Sequence, residues 1–304
     1  MAQTYNRRLH VYAVFTACCT FLLLVAGALV TSNDAGLSVP DWPLSYGSVT
    51  PPWVGGIRYE HSHRVVATLV GLLTIGLAIW LGRSELRRWV RRLGYFALAT
   101  VVAQGILGGI TVKFFLPIPV SVAHATLGQL FFGLVVSIAI FTARWWHSDV
   151  PQAEDPGSPR AGSLAAWSVA AVFLQLILGA AFRHKGFGIV PHLIGAAVVS
   201  VLVFWTAGVL RRRFEQVPAL RGSVRLLHVL LGAQLLLGGA AWWSRVWSAE
   251  FPQPMPPMVI LTVAHTVVGA LVLASTLGAA LICRRVLGPA QHAVVGAQSQ
   301  QAAL

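Results

Sequence analysis

Charged side chains are scarce in this sequence: they make up 10% of 304 residues, and only nine are Asp or Glu. A soluble domain carries about a quarter charged residues. This composition therefore excludes a water-soluble fold, and a chain of 56% hydrophobic residues needs lipid as its solvent. No carboxylates cluster in an apolar run, which argues against the acidic DxxxD-type metal sites of prenyl transfer. Cysteine is equally sparse. Cys18, Cys19 and Cys283 all lie in or at the end of hydrophobic runs, so there is neither a disulfide framework nor a CxxC metal motif. Three methionines offer little to a copper site. The first apolar run is too long, and lacks a small-residue cleavage site, for a removable signal peptide.

What is present is a series of eight apolar runs, at about 10–31, 62–82, 93–114, 120–143, 162–182, 189–210, 223–243 and 258–283. Each is long enough to cross a bilayer. They predict an all-α, polytopic membrane bundle of eight transmembrane helices. A net charge of +13 would suggest nucleic acid in a soluble protein, but the positions of the charges speak for topology and against a nucleic-acid partner. Arg7, Arg8, Arg83, Arg87, Arg88, Arg91, Arg92, Arg144, Arg160, Arg211, Arg212, Arg213, Arg221, Arg225, Arg284 and Arg285 all fall on one side. That is 16 of the 22 basic residues. The positive-inside rule makes that side, with both termini, cytoplasmic, as expected of a multi-pass protein of the cell's inner (plasma) membrane. The opposite side holds the long loop 32–61 and the segment 244–257, with Trp42, Trp53, Trp242, Trp243 and Trp247 near the outer interface.

The polar, Pro-rich stretch 147–161 reads as a cytoplasmic linker between an N-terminal four-helix half, 1–146, and a C-terminal one, 162–288, with a flexible tail at 289–304. A repeat supports two pseudo-symmetric halves. Gln104-Gly-Ile-Leu-Gly108-Gly109 precedes His124, Gln175-Leu-Ile-Leu-Gly179-Ala180 precedes His192, and Gln234-Leu-Leu-Leu-Gly238-Gly239 precedes His265. A weaker Val25-Ala-Gly27-Ala28 precedes His63. The unit is a hairpin: a small-residue helix, an outer loop, and a helix that opens with histidine. The glycines themselves predict close helix packing.

His63, His124, His192 and His265 thus lie at one depth, near the outer ends of the even-numbered spans. Ionisable groups in a membrane are costly and face the bundle interior. Two imidazoles per half are what axial ligation of haem iron requires, a nitrogen on each side of a flat macrocycle. Zinc would recruit Cys or carboxylate close in sequence. Glu60 and His63 share a helix face, so a carboxylate is available to accept a proton or orient a ligand; compensation of the helix N-terminus is its plainer role. Arg64, Arg183, Lys185 and Arg245 are candidates to pair with haem propionates or to anchor at lipid headgroups. His10, His61, His147, His184, His228 and His292 stand outside the pattern.

The motif Glu60-His-Ser-His63-Arg64, after an outer segment with Gly27-Ala-Leu-Val-Thr31 and Gly36-Leu-Ser-Val-Pro-Asp-Trp42-Pro43, resembles the haem A synthase family of cytochrome oxidase assembly enzymes. The resemblance covers nearly the whole chain. It implies an oxidoreductase that turns the C8 methyl group of haem O into the formyl group of haem A. It implies that His63 and His124 bind substrate haem O, that His192 and His265 hold haem b (iron) as cofactor, and that Glu60 is catalytic. Haem O synthase, cytochrome oxidase assembly factors and a second copy of the chain are the implied partners. Many members carry a cysteine pair in the first outer loop, and this loop has none. Two other functions fit the four histidines: a bis-histidine b-type cytochrome relaying electrons, and a haem carrier or assembly factor.

Overall fold

The computed structural model describes residues 5–289. The expected tail, apart from Pro289, and His292 lie outside the described residues. Among the described residues, eight helices are long and apolar enough to cross a membrane. They are α1 (Arg7–Ser32), α2 (Ile57–Ser84), α3 (Arg88–Lys113), α4 (Ile118–Thr142), α6 (Ala161–Arg183), α7 (Ile189–Arg213), α8 (Pro218–Trp247) and α9 (Pro256–Val286). The one-turn helix α5 (Arg144–His147) follows α4. The chain is an all-α polytopic bundle.

Helix starts follow local chemistry. The Asn6 side chain accepts the Leu9 amide at 3.1 Å and caps α1. α4, α8 and α9 begin with proline in the first turn, where its missing N–H costs nothing. The outer ends of α1, α3 and α6 close alike: the amides of Ala35, Leu116 and Gly186 reach back to the carbonyls of Val30, Thr111 and Ala181. In each turn a non-glycine residue takes a positive φ: Asp34 (50°), Phe115 (57°) and Lys185 (62°). The sequence repeat therefore extends into backbone conformation.

In the first half α1 packs on α2, α2 on α3, α3 on α4 and α4 back on α1. In the second, α6, α7, α8 and α9 close the equivalent ring. The rings meet through α1 on α9, α4 on α6 and α4 on α9. Exchanging α1 with α6 and α4 with α9 maps these contacts onto one another, so the halves are related by a pseudo-twofold arrangement. Phe131, Phe132, Val135 and Ile138 of α4 fill the first half's core, and Ala270 of α9 joins them. At the outer side, Ser32 bonds Thr262 at 3.0 Å, and the Arg183 guanidinium donates to the Thr31 carbonyl at 2.8 Å.

The stretch expected as a linker is tied down. β1 (Ala153–Asp155) pairs in parallel with β2 (Leu287–Pro289), directly after α9. Asp155 is buried and accepts the Ala161 amide at 2.7 Å, which fixes the start of α6.

Candidate functional site: paired imidazoles seated on glycine

The four histidines occupy equivalent places. His63 is on α2, His124 on α4, His192 on α7 and His265 on α9. α4 and α9 are the central helices that touch across the two halves. α2 and α7 stand diagonally opposite them within each ring, held apart by the helices between. Each half therefore offers one imidazole from a central helix and one from an outer helix, across the ring interior.

Each imidazole lies against a glycine of the preceding helix. A Cβ added at Gly27 would come 3.1 Å from His63 Cε1; at Gly108, 3.5 Å from His124 Cε1; at Gly179, 3.0 Å from His192 Cε1; at Gly238, 2.9 Å from His265 Cε1. Gly105, three residues before Gly108, and Gly239, next to Gly238, have nothing within 4 Å of such a Cβ. The glycines of the repeat are thus more than packing residues: one in each hairpin is the floor of a histidine seat.

The ring centroids of His192 and His265 are 6.2 Å apart and nearly perpendicular, at 83°. Two metal–nitrogen bonds of about 2 Å between facing rings span about that separation. Two rings in loose edge contact do so as well, and the polar atoms separate these cases. Nδ1 of His63, His124 and His265 is buried without a hydrogen-bond partner. An unpaired buried polar atom costs about 1–3 kcal/mol; these three lie by the backbone of the preceding helix, at Leu23, Gln104 and Gln234, which leaves the other ring nitrogen for a ligand. No three ionisable side chains converge as a compact metal cage would need, among the described residues. Separate pairs of imidazoles can instead hold a planar metallo-macrocycle on its two faces. His63 and His124 lie close enough to interact electrostatically, and His184, from the second half, is within the same range of His124.

Glu60 is buried and fully engaged. Its Oε1 pairs with Arg64 at 2.6 Å, and its Oε2 accepts the Val39 amide at 2.9 Å. Arg64 also donates to the carbonyls of Asp41 and Leu44, at 2.7 and 2.5 Å. The pair clamps the first outer loop down on α2. Asp41 in turn accepts the amides of Tyr46 and Gly47, at 2.7 and 2.8 Å. These bonds, the one from Gly47 foremost, hold its carboxyl below the usual aspartate range. His61 bonds Ser45 at 2.9 Å beneath the same loop, with Trp53 edge-on. Trp42 reaches α3, where a Cβ at Gly109 would meet its indole at 3.0 Å. The first half is thereby lidded, whereas 248–255 is a short connection over the second.

Of the remaining cations, Arg183 bridges the halves, and Lys185 and Arg245 are exposed at the outer side. Sequence reasoning missed the loop clamp of Arg64 and the glutamine contacts of the three complete repeats. The Q-x-x-L-G spacing was the available signal for the latter. His10, His147 and His228 meet Thr142, Arg87 and the Val224 carbonyl instead.

Residues 57–191 match a family model described as cytochrome oxidase assembly protein. The match takes in Glu60, His63 and His124 and ends one residue before His192. A protein named heme A synthase from Symbiobacterium thermophilum is 30% identical over 250 residues, covering 71% of this chain and 80% of that protein. Another so named, from Alkalihalophilus pseudofirmus, is 33% identical over 139 residues, 44% of this chain and 46% of that protein. A protoheme IX farnesyltransferase from Halobacterium salinarum is 32% identical over 141 residues, 46% of this chain but 32% of that protein.

Proposed function

The chain belongs to the haem A synthase family, and we propose that it makes haem A by oxidising the C8 methyl group of haem O to a formyl group. The observation that carries this reading is the glycine-seated pair of half-buried imidazoles in each half of a chain from that family.

In this reading the first half takes haem O between His63 and His124, and the second keeps haem b between His192 and His265. Bound there, haem b supplies one-electron transfer. Converting a methyl group to a formyl group with oxygen from water releases four electrons and four protons, so the site needs an external electron acceptor as well as a proton acceptor. Glu60 stands one helical turn from His63 and is assigned that role at its carboxylate oxygens, or the stabilisation of positive charge beside the reacting carbon. Arg64 keeps the carboxylate in place, and the lid of Trp42 and the outer loop limits water. The positive-inside pattern puts both termini in the cytoplasm and the histidine ends at the outer face of the plasma membrane. Haem O synthase is the natural donor and cytochrome oxidase assembly factors the natural recipients. Association into homo-oligomers would use the glycine-rich outer faces.

A bis-histidine electron carrier would use the same ligands. It has no use for a clamp and lid on one half alone, which favours the enzyme. The test is chromatography of haems extracted from cells that make haem O, with and without this protein. Appearance of haem A supports the enzyme; unchanged haem O overturns it in favour of a carrier or cytochrome.

A further inference from the structure

Three hairpins carry a glutamine one helical turn before the seat glycine: Gln104, Gln175 and Gln234. Each reaches the histidine of the next helix. Gln104 Nε2 donates to the His124 carbonyl at 3.0 Å. Gln175 Nε2 donates to the His192 carbonyl at 2.9 Å and lies 3.0 Å from His192 Nδ1. Gln234 Nε2 lies 3.4 Å from His265 Nε2. Each glutamine rests in turn on a glycine of the histidine's helix. A Cβ at Gly128 would come 2.9 Å from Gln104, one at Gly269 would come 3.2 Å from Gln234, and one at Gly195 would collide with Gln175. The first hairpin departs at both positions together: Leu23 stands one turn before Gly27, and Ala67 one turn after His63.

The amide oxygens of all three glutamines are buried without a partner, as are the Nδ1 atoms of His63, His124 and His265. An imidazole that binds a metal through one nitrogen gives the N–H of the other to an acceptor. Resting on the haem-ligand reading above, we infer that Gln104, Gln175 and Gln234 are positioning residues for the ligand imidazoles. Their amide nitrogens hold the histidine's own carbonyl at Gln104 and Gln175 and meet the ring at Gln175 and Gln234, which fixes where each imidazole stands. His63 has the Leu23 backbone beside its ring but no side-chain amide. The second half thus grips with two amide-backed imidazoles and the first with one. That difference suits a resident cofactor in the second half and a molecule that must leave in the first.

If the glutamines only join helices, replacing them would change stability and leave the bound haem as it was. The experiment uses full-length protein purified in detergent, with Gln175→Leu and Gln234→Leu copying the Leu23 state. The readouts are the reduction potential and electron paramagnetic resonance of bound haem b and its rate of transfer to an added apo-haemoprotein. The expected result is a shifted potential and spectrum, with retention lower by about 10- to 100-fold. Gln175→Glu keeps the side chain's size, removes the donor to the His192 carbonyl and shifts the potential as well. In the reverse direction, Leu23→Gln with Ala67→Gly slows release of haem from the first half. Unchanged potential, spectrum and retention in the folded leucine variants overturn the inference. Should those variants not fold, an unchanged potential in Gln175→Glu overturns it. Wild-type protein that never carries haem overturns the haem-ligand reading itself.

Discussion

Gly179 sets how closely His192 can approach α6: a Cβ at position 179 would stand 3.0 Å from the imidazole. The same relationship recurs at Gly238 and His265. Overpacking of a fitted interior costs about 1–3 kcal/mol, and here the ring would absorb it by moving. Gly238→Ala is expected to lower bound haem b several-fold. Gly239→Ala, one residue along with nothing near its Cβ, is expected to retain it. The pyridine haemochrome yield per protein checks this pair; equal loss in both, or in neither, contradicts the seat.

His192→Ala or His265→Ala is expected to empty the second half of haem b. His63→Ala or His124→Ala is expected to leave haem b in place and weaken haem O binding. Optical spectra and chromatography of extracted haems distinguish the two outcomes. The opposite distribution would exchange the roles of the halves.

Glu60 joins two jobs that substitution can divide. Glu60→Gln keeps an oxygen for the Val39 amide but removes the charge facing Arg64. It is expected to keep the outer loop protected from protease while abolishing conversion of haem O. Glu60→Ala is expected to lose both. A Glu60→Gln protein that still makes haem A would leave Glu60 as a loop clamp only.

The outer loop should respond to acid through Asp41. Its folded-state carboxyl is held below the ordinary value of 3.8. A depressed carboxyl stabilises the fold above its unfolded value, and that contribution disappears as pH falls through the folded value. Hydrogen exchange at the Tyr46 and Gly47 amides, corrected for intrinsic rates, is expected to lose protection below about pH 3.8. Asp41→Asn is expected to lose it already at neutral pH.

The eight spans were legible because lipid demands long apolar runs, and the arginines between them gave direction. Their ends were less so. The run read at 223–243 belongs to a helix spanning Pro218–Trp247, since backbone hydrogen bonding continues past Arg221 and Trp242 while hydropathy falls. The histidine depth was also legible, from the repeat. The seats were not, because a glycine that packs a helix and one that seats a ring look the same in sequence. Nor was the pairing of Ala153–Asp155 with Leu287–Pro289, as three residues carry no periodicity. Arg64 and Arg183 looked free to meet a ligand, but sequence does not show that backbone carbonyls reach them first.

The contact of α4 with α9 has a consequence for ancestry. The helices that meet between the halves are the same helix counted twice, along with their α1 and α6 neighbours. A chain of four helices, with one glycine-seated histidine pair, would dock on its own copy through this surface as an isologous dimer. Duplication and fusion would then free each copy to diverge. Losing one glutamine and gaining a glutamate and a lid would be enough to turn twin sites into unequal ones.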